Sequence, residues 1–353
     1  MKSANEIANN VFRRRDEYLS QRKQKKIIFQ RISGIIPICL VVVLMLTTLG
    51  TCYAFAAGFG IVDDFLNFFE GRSECVLSAS QQARIEEAVA EVGESITCND
   101  VTVTLKGAYA DGPLAYILLD VEAPESVSLD AYGLHFDTAA RELLRGNNPE
   151  KYLNTTGFGT ADIIVADKDG NENTTTIMLR VNTLRLPGSQ FSFADGYTRT
   201  LILDTLSAYE ETYPYTQYTI ADGTWKFNVD FVDVNQGEKE LLSTPTQMQA
   251  IRGCSTDGMS VTVNSIRMQG LGLTFYYDVN AGDTPEAGTF GPVQIQMKDG
   301  TRIDAHSNMS LSLGKESGSD YICSYIAESP IVFADVDCII INDEVTIPFE
   351  FAD

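Results

Sequence analysis

The residues most able to do chemistry in this chain are the oxygen-bearing side chains of the run DKDGNEN. Four of them alternate along the chain: Asp167, Asp169, Asn171 and Asn173. This alternation is typical of a calcium loop, but an EF-hand also needs Gly at the sixth position and Glu at the twelfth. The chain has Glu172 and Met178 at those positions. Because Asp-Gly between alternating runs favours a tight hairpin, we predict a polar hairpin tip instead of a metal site.

Other reactive residues lack the partners that catalysis needs. Ser312 and Lys315 have the serine-x-x-lysine spacing of penicillin-interacting enzymes, but neither Ser-Asp-Asn nor Lys-Thr-Gly follows them. The histidines, His135 and His306, lie far apart in the sequence, and each is expected in a loop or at a sheet edge. We therefore predict no catalytic residue, no metal and no cofactor, and a protein that is not an enzyme.

The cysteines do not form a recognisable framework. Two of the seven, Cys39 and Cys52, lie in a long apolar segment. The other five are Cys75, Cys98, Cys254, Cys323 and Cys338. No C-x-x-C pair occurs and only two histidines are present, which argues against a zinc cluster. An odd number of remaining thiols leaves the disulfide pattern open.

A long uncharged segment divides the chain. No charged side chain occurs between Ile32 and Val62, and the apolar core from Ile35 to Ala57 is 23 residues long. A helix rising ~1.5 Å per residue over that length crosses a hydrocarbon layer of ~30 Å. We therefore predict a single transmembrane helix at residues 32–57.

The charges on either side set the orientation of this helix. Residues 1–31 hold nine Lys or Arg and three Asp or Glu, a net charge of +6. Because the whole chain has a net charge of −22, the other 322 residues together carry −28. Because Lys and Arg stay on the inner side, the N-terminus is predicted in the cytoplasm of a cell membrane and the C-terminal domains outside. An outer surface of that charge repels phosphate and excludes a nucleic-acid partner. Cleavage after Ala56 stays open as an alternative.

Residues 1–31 are predicted to form a basic, helical cytoplasmic tail. No Pro or Gly interrupts residues 3–30, and the charged residues flank a narrow apolar face. Such a helix can bind a cytoplasmic protein, or it can only hold the chain beside anionic membrane lipid. The candidate partner-binding residues are Val11, Phe12, Arg13, Arg14, Arg15, Tyr18 and Leu19.

Two short amphipathic helices are predicted outside the membrane, in residues 58–93. The first, in GIVDDFLNFFEG, has its apolar side chains on one face. The second begins at a capping box formed by Ser78 and Gln81. The helical spacing of Ile85, Val89 and Val92 predicts that this helix continues, and Gly93 is its expected end.

Beyond Gly93 the apolar residues alternate and the chain repeats itself. CNDVTVTLKGAYADGPLAYILLDVE at residues 98–122 matches CSTDGMSVTVNSIRMQGLGLTFYYDV at residues 254–279, each as two strands joined by a turn. Further matches pair 163–174 with 293–304, and 225–231 with 345–351. The predicted fold class is mainly β: after the transmembrane helix and the short N-terminal helices come two tandem antiparallel β-sandwich, immunoglobulin-like domains.

The repeat sets the predicted domain boundaries. The domains are a first sandwich at residues 94–234, a linker at 235–253 and a second sandwich at 254–353. The linker is polar and is broken by Pro245. The first sandwich carries extra material in DTAARELLRGNNPEKYL at residues 137–153.

The segment AYEETYPYTQY, at residues 208–218, is rich in tyrosine. Tyr beside Thr and Glu is typical of a solvent-facing sheet edge, yet Tyr is also enriched in binding surfaces. A structural role and a site for a peptide, a glycan or a protein are both left open.

Three stretches together resemble a known family. They are the basic tail RRRDEYLSQRKQKK, the segment YAFAAGFGIVDDFLNFFEG that leaves the membrane, and the hairpin NDVTVTLKGAYADGPLAYILLDVE. The chain is similar to the membrane-anchored, anti-sigma-factor-like proteins of Gram-positive bacteria with an extracytoplasmic domain of unknown function. The resemblance is most specific at residues 53–123, and it supplies no catalytic residues.

This resemblance implies a single-pass cell-envelope regulatory protein. Its outer β domains would sense a ligand, a partner or envelope stress and signal to the short cytoplasmic tail, with an extracytoplasmic-function sigma factor as the candidate partner. Because signal transfer through one helix is hard for a monomer, a homo-oligomer is also expected. The alternative is a surface-exposed binding or adhesion module whose N-terminal anchor is purely topogenic.

Overall fold

The computed structural model describes residues 60–138, 143, 155–166, 171–185, 191–232, 236–242, 244–252, 258–280, 287–313 and 319–349. The chain divides into two compact units after Gln82. The tail at 1–31, with its seven candidate partner-binding residues, and the predicted transmembrane helix at 32–57 lie outside the described residues. In the part that is described, no helix is long and apolar enough to cross a bilayer.

Two helices occupy the start of the described chain. Helix α1 spans Ile61–Ser73 and helix α2 spans Ala79–Ala88. The buried side chains of α1 are Ile61, Phe65, Phe68 and Phe69. The capping box of α2 forms as predicted, because the Gln81 N–H donates to Ser78 Oγ at 3.3 Å and the Ser78 N–H donates to Gln81 Oε1 at 2.9 Å.

The chain beyond α2 is mainly β and antiparallel, which confirms the coarse fold class. The first module, residues 90–229, has eight strands among its described residues. They are β1 Ala90–Cys98, β2 Val101–Asp111, β3 Leu114–Glu122, β4 His135–Thr138, β5 Thr155–Ala166, β6 Thr174–Arg185, β7 Arg199–Tyr209 and β8 Gln217–Val229. One sheet has the order β1-β2-β3-β6-β5 and the other has the order β4-β7-β8.

The two sheets of the first module pack face to face around one apolar core. The alternation predicted for residues 225–231 places Trp225, Phe227 and Val229 of β8 inside, while Lys226 and Asn228 are exposed. Trp225 is fully buried, and its indole Nε1 donates to the carbonyl oxygen of Val101 on β2 at 3.1 Å. This hydrogen bond joins the two sheets and satisfies the one polar atom of the largest core side chain.

The second module, residues 239–348, forms one long sheet with a separate core. Its strands are β9 Lys239–Glu240, β10 Thr246–Arg252, β11 Gly258–Gln269, β12 Gly272–Val279, β13 Gly288–Thr289, β14 Val293–Met297, β15 Arg302–Ser312, β16 Tyr321–Ala327, β17 Val336–Ile341 and β18 Val345–Pro348. The strand order is β13-β10-β11-β12-β16-β15-β14-β17-β18, and β9 pairs with β11. A 3-10 turn at Phe333–Asp335 precedes β17.

Apart from β9 and β13, the strands of the second module follow the same order as the eight strands of the first. β6 lies beside β3 as β16 lies beside β12, and β7 lies between β4 and β8 as β17 lies between β14 and β18. The structure corrects one predicted match. Residues 163–174 belong to the β5–β6 hairpin, whose equivalent is β15–β16, whereas residues 293–304 form the β14–β15 hairpin. Turn signals reveal that a hairpin exists but not which strand lies next to it.

Two predicted boundaries are wrong. α2 ends at Ala88, and Gly93, the expected helix end, lies inside β1 with a φ of 72° at a register shift. Pairing with β2 satisfies the backbone of residues 90–98, so Gly93 accommodates a bulge instead of ending a helix. The predicted linker at 235–253 contains β9 and β10, which both pair with β11. The polar composition of residues 235–253 gave no indication of β10, the strand in which Met248 and Ala250 are buried.

The modules meet through equivalent turns, the one after β2 and the one after β11. Asp111, only 1% exposed, ends β2, and its Oδ2 lies 2.8 Å from Nη2 of Arg84 on α2. A Cβ added to Gly270 would lie 1.8 Å from the same Oδ2 atom. A cleft of about 40 Å³ borders this contact, with Asn182 on one side and Tyr325 on the other. It has room for a few water molecules and not for an organic ligand.

We predict that Gly270→Ala destabilises the contact between the modules. The carboxylate of Asp111 is held by Arg84 and cannot withdraw from the new methyl group without breaking a buried ion pair. We expect the free energy of unfolding of the full chain to fall by about 1–3 kcal/mol, the usual cost of overpacking. Urea unfolding followed by tryptophan fluorescence and circular dichroism measures this change.

The matched control is Gly258→Ala at the start of β11. A Cβ there would lie 3.4 Å from Gln249 Oε1, which is an ordinary contact distance. The control should change the stability by less than about 0.5 kcal/mol. Equal effects of the two substitutions would show that the approach of Asp111 to Gly270 is not a constraint.

Candidate functional site

The predicted polar hairpin tip lies in the turn between β5 and β6. Asp167 and Asp169 lie outside the described residues. Asn173 is used structurally, because its side-chain Nδ2 donates to the carbonyl oxygen of Ala123 at 2.9 Å. Among the side chains that the structure describes, no group of three or more His, Cys, Asp or Glu could hold a metal ion.

The serine and histidine candidates are not brought together. Ser312 is the last residue of β15, and Lys315 lies outside the described residues. His306 is in the second module, where its Nε2 lies 2.6 Å from Glu328 Oε1. His135 is in the first module, where its Nδ1 lies 2.7 Å from the carbonyl oxygen of Gly133. These contacts fix side chains and assemble no nucleophile with a base.

Four of the cysteines left open by the sequence are free thiols: Cys75, Cys98, Cys323 and Cys338. Cys254 lies outside the described residues. Cys323 of β16 is fully buried, and this burial raises the pKa of its thiol to about 12. A thiol held in its protonated form is a poor nucleophile, so Cys323 is a core residue and not a reactive one.

The tyrosine-rich segment forms the loop between β7 and β8. β7 ends at Tyr209 and β8 begins at Gln217. Within this loop the Glu210 N–H donates to the carbonyl oxygen of Thr216 at 3.0 Å. The Tyr215 N–H donates to the carbonyl oxygen of Thr212 at 2.9 Å. The loop is therefore closed by its own backbone hydrogen bonds.

A second loop, between β3 and β4, brings another tyrosine to the same place. The Tyr209 N–H donates to the carbonyl oxygen of Tyr132 at 2.8 Å. The Tyr132 and Tyr215 rings stack with centroids 6.0 Å apart and an interplanar angle of 25°. The Tyr213 ring lies perpendicular to the Tyr215 ring at 5.9 Å. We call Tyr132, Tyr213 and Tyr215 the tyrosine surface.

The rings of the tyrosine surface face solvent. Tyr132 is 53% exposed, Tyr213 is 86% exposed and Tyr215 is 50% exposed. Tyr215 also has a φ of 47°, a left-handed conformation that costs a bulky residue on the order of 1 kcal/mol or more. Exposed rings add little to the core of the module, and such aromatic patches usually mark interaction sites.

A close backbone approach fixes the two loops beneath the rings. Gly133, with a φ of 63°, follows Tyr132, and a Cβ added there would lie 2.8 Å from Tyr209 Cδ2. The Tyr209 ring is also packed against His135, whose ring stacks on it with the centroids 5.0 Å apart. The Gln217 side chain donates to Asp137 Oδ1 at 3.1 Å and ties β8 to β4. The tyrosine surface thus lies on an ordered base.

The chain segments that form the tyrosine surface are acidic in sequence. Residues 114–138 and 200–222, which contain both loops, hold nine Asp or Glu and no Lys or Arg. Asp130, Glu210 and Glu211 are exposed in these loops. The β3–β4 loop also bonds to the β5–β6 turn, where the Leu129 N–H donates to the carbonyl oxygen of Glu172 at 2.6 Å. The two loops therefore combine exposed aromatic rings with exposed carboxylates.

Sequence reasoning found one half of this surface. The tyrosines of residues 208–218 were visible as a composition bias, whereas Tyr132 was missed. No local pattern connects Tyr132 with Tyr215, because only the pairing of β4 with β7 brings their loops together. A Tyr-Gly pair between two strands is the sole signal that could have indicated it.

Comparisons with known proteins do not identify the chain. No family model matches it, and the search of curated proteins found no match. A solved structure that it resembles is the crystal structure of the conserved domain protein from Bacillus anthracis, with 14% identity and a TM-score of 0.39. That likeness covers 72% of this chain and 76% of the other. At this TM-score it supports no conclusion about fold or function.

We predict that Gly133→Ala disrupts the base of the tyrosine surface. The substitution combines a left-handed backbone with a methyl group placed against the Tyr209 ring. Gly196→Ala is the matched control, because Gly196 also has a positive φ, of 79°, but has nothing within 4 Å of its added Cβ. Both variants carry the backbone penalty, so their difference isolates the clash. We expect Gly133→Ala to unfold with about 1–3 kcal/mol less stability than the control in urea titrations; equal stabilities would contradict the close packing.

We also predict that the stability falls at alkaline pH. The folded-state pKa of Cys323, about 12, lies above the ordinary thiol value of 9.0. The folded protein therefore binds more protons than the unfolded chain between these values, and this contribution is lost as the pH rises through the window. One proton corresponds to at most about 1.4 kcal/mol per pH unit. Urea unfolding at pH 8, 9.5 and 10.5 should give a steeper fall for the wild type than for Cys323→Ala; parallel curves would refute the assignment.

Proposed function

We propose that this protein is a single-pass cell-envelope regulatory protein, similar to anti-sigma factors, whose outer β modules sense a ligand or partner through the tyrosine surface. The observation that carries the proposal is the tyrosine surface itself. Three exposed rings on two loops, held by a close Gly133–Tyr209 packing, contribute little to folding and present a large contact area. Loops on a rigid β scaffold are the usual place for binding residues.

The proposal also gives the two modules an immunoglobulin-like identity. With β2 taken as strand A, the first module has the order A-B-E-D in one sheet and C-F-G in the other, and β1 is added at the edge. In that scheme the loops of the tyrosine surface are the B–C and F–G loops. These are the loops that carry contacts in immunoglobulin variable domains.

The membrane part of the proposal rests on the sequence. Residues 32–57 cross the membrane once, residues 1–31 lie in the cytoplasm, and the β modules lie outside the cell. The support is the uncharged length of the segment and the change from +6 to −28 across it. The seven residues from Val11 to Leu19 would then contact an extracytoplasmic-function sigma factor, and a homo-oligomer would carry the signal across the membrane.

Transcript profiling of four strains tests this function. One strain lacks the gene, and each of the other three carries one copy, encoding the wild type, a tail with residues 3–20 in reversed order, or Tyr213→Ala with Tyr215→Ala. If the tail restrains a sigma factor, the reversed tail should induce the same set of promoters as deletion of the gene. The tyrosine variant should alter the induction of that set and leave the amount of protein in the membrane unchanged.

The alternative function predicts a different result. If the reversed tail and the wild type give the same transcripts, the tail transmits no signal to a cytoplasmic partner. The chain is then an adhesion module with a topogenic anchor. A loss of surface binding in the tyrosine variant would then still assign a role to the tyrosine surface. Immunoblots of membrane fractions control for the expression of each variant.

A further inference from the structure

We infer that the tyrosine surface binds a basic polypeptide segment through its Arg or Lys side chains. This inference deepens the proposed function, since it names the chemical class of the partner of the same site. It rests on three properties of the described loops, namely the ring geometry, the acidic sequence of the loops and the exposure of the rings.

The ring geometry suits a cation. The Tyr213 and Tyr215 rings are perpendicular and adjacent, so together they form two walls of a corner, while the Tyr132 ring stacks on the Tyr215 ring. The faces of aromatic rings attract a guanidinium or an ammonium group, and Arg also stacks flat on such a face. A corner of two faces lets one cation contact both rings.

The charge of the loops selects the sign of the ligand. Glu210 and Glu211 are exposed and directly precede the segment that carries Tyr213 and Tyr215, and Asp130 lies two residues before Tyr132. Residues 114–138 and 200–222 contain no Lys or Arg, so the sequence of the two loops offers Glu210 and Glu211 no basic partner. These carboxylates repel anionic polymers and attract bases, and each can accept two hydrogen bonds from one guanidinium.

The shape of the surface favours a polypeptide over a small cation. The three rings are half exposed or more and stand on two loop tips instead of lining an enclosed pocket. An open surface binds a small ammonium ion weakly, whereas an extended chain can place successive basic side chains on the rings and the carboxylates. A neutral glycan would also stack on the rings, but it would gain nothing from the charge.

Fluorescence anisotropy on the full-length protein in nanodiscs tests this inference. The probe is a fluorescein-labelled Gly-Arg repeat of eight residues, and the control probe replaces every Arg by the neutral isostere citrulline. We expect binding of the Arg probe to weaken about tenfold in Tyr213→Ala with Tyr215→Ala, the effect of losing two cation–π contacts. The double Phe variant, which keeps both rings, should bind nearly as well as the wild type.

A charge-matched pair of variants separates a local site from diffuse attraction by the acidic chain. Glu210→Gln with Glu211→Gln removes two charges beside the rings, whereas Asp343→Asn with Glu344→Gln removes two exposed charges from the equivalent β17–β18 turn, which has no tyrosine. The first pair should weaken binding and flatten its dependence on salt, and the second should change neither. Equal effects of the two pairs would overturn the inference.

Two further outcomes remain distinguishable. If labelled chitohexaose binds with the same dependence on Tyr213 and Tyr215 while the Arg probe does not bind, the ligand is a glycan and the inference is wrong. If neither probe responds to the tyrosine variants but these variants still alter the transcripts in cells, the proposed function holds and only the basic ligand is refuted. Thermal unfolding of each variant excludes a folding defect as the cause.

Discussion

The contact between Asp111 and Gly270 is the constraint on which the arrangement of the two β modules depends. A carboxylate that is 1% exposed needs a charged partner, and Arg84 supplies it at 2.8 Å. The β2–β3 turn, which follows this carboxylate, is itself held by a hydrogen bond. The Phe193 N–H donates to the carbonyl oxygen of Gly112 at 2.8 Å. Only a residue without a side chain fits at position 270, because any Cβ would overlap the carboxylate.

The same contact determines which end of the first module is open. Its strands are antiparallel, so the β2–β3 turn lies at one end and the β3–β4 and β7–β8 loops lie at the other. The contact with the second module occupies the first end and leaves the tyrosine surface at the opposite one. In the second module the equivalent of the β7–β8 loop is the short turn at residues 342–344. Two copies of one strand order therefore differ by a loop, and the loop carries the proposed function.

Much of the strand content followed from the sequence, and the errors share a cause. Alternation located β2, β3, β8, β11 and β12, and the two Asp-Gly turns indicated hairpins that both form. The interpretation failed at Gly93, at the hairpin match and at residues 235–253. In each case the local residue pattern was compatible with two structures, and pairing with a strand distant in the sequence decided which of the two forms. Gly93 is a bulge because β2 pairs beside it, and residues 246–252 are a strand because the edge of β11 accepts their backbone.

By itself the sequence determined the separation of charge, the uncharged segment, the repeat and the tyrosine-rich loop, because each is a property of residues close together in the chain. Only the tertiary structure decided that Tyr132 joins Tyr215, that Asp111 meets Gly270, and that Cys323 is a free and fully buried thiol. These pairs are brought together by strands paired far apart in sequence. A local pattern can state that a strand will form, but the neighbour of that strand is chosen by the burial of whole faces against one another.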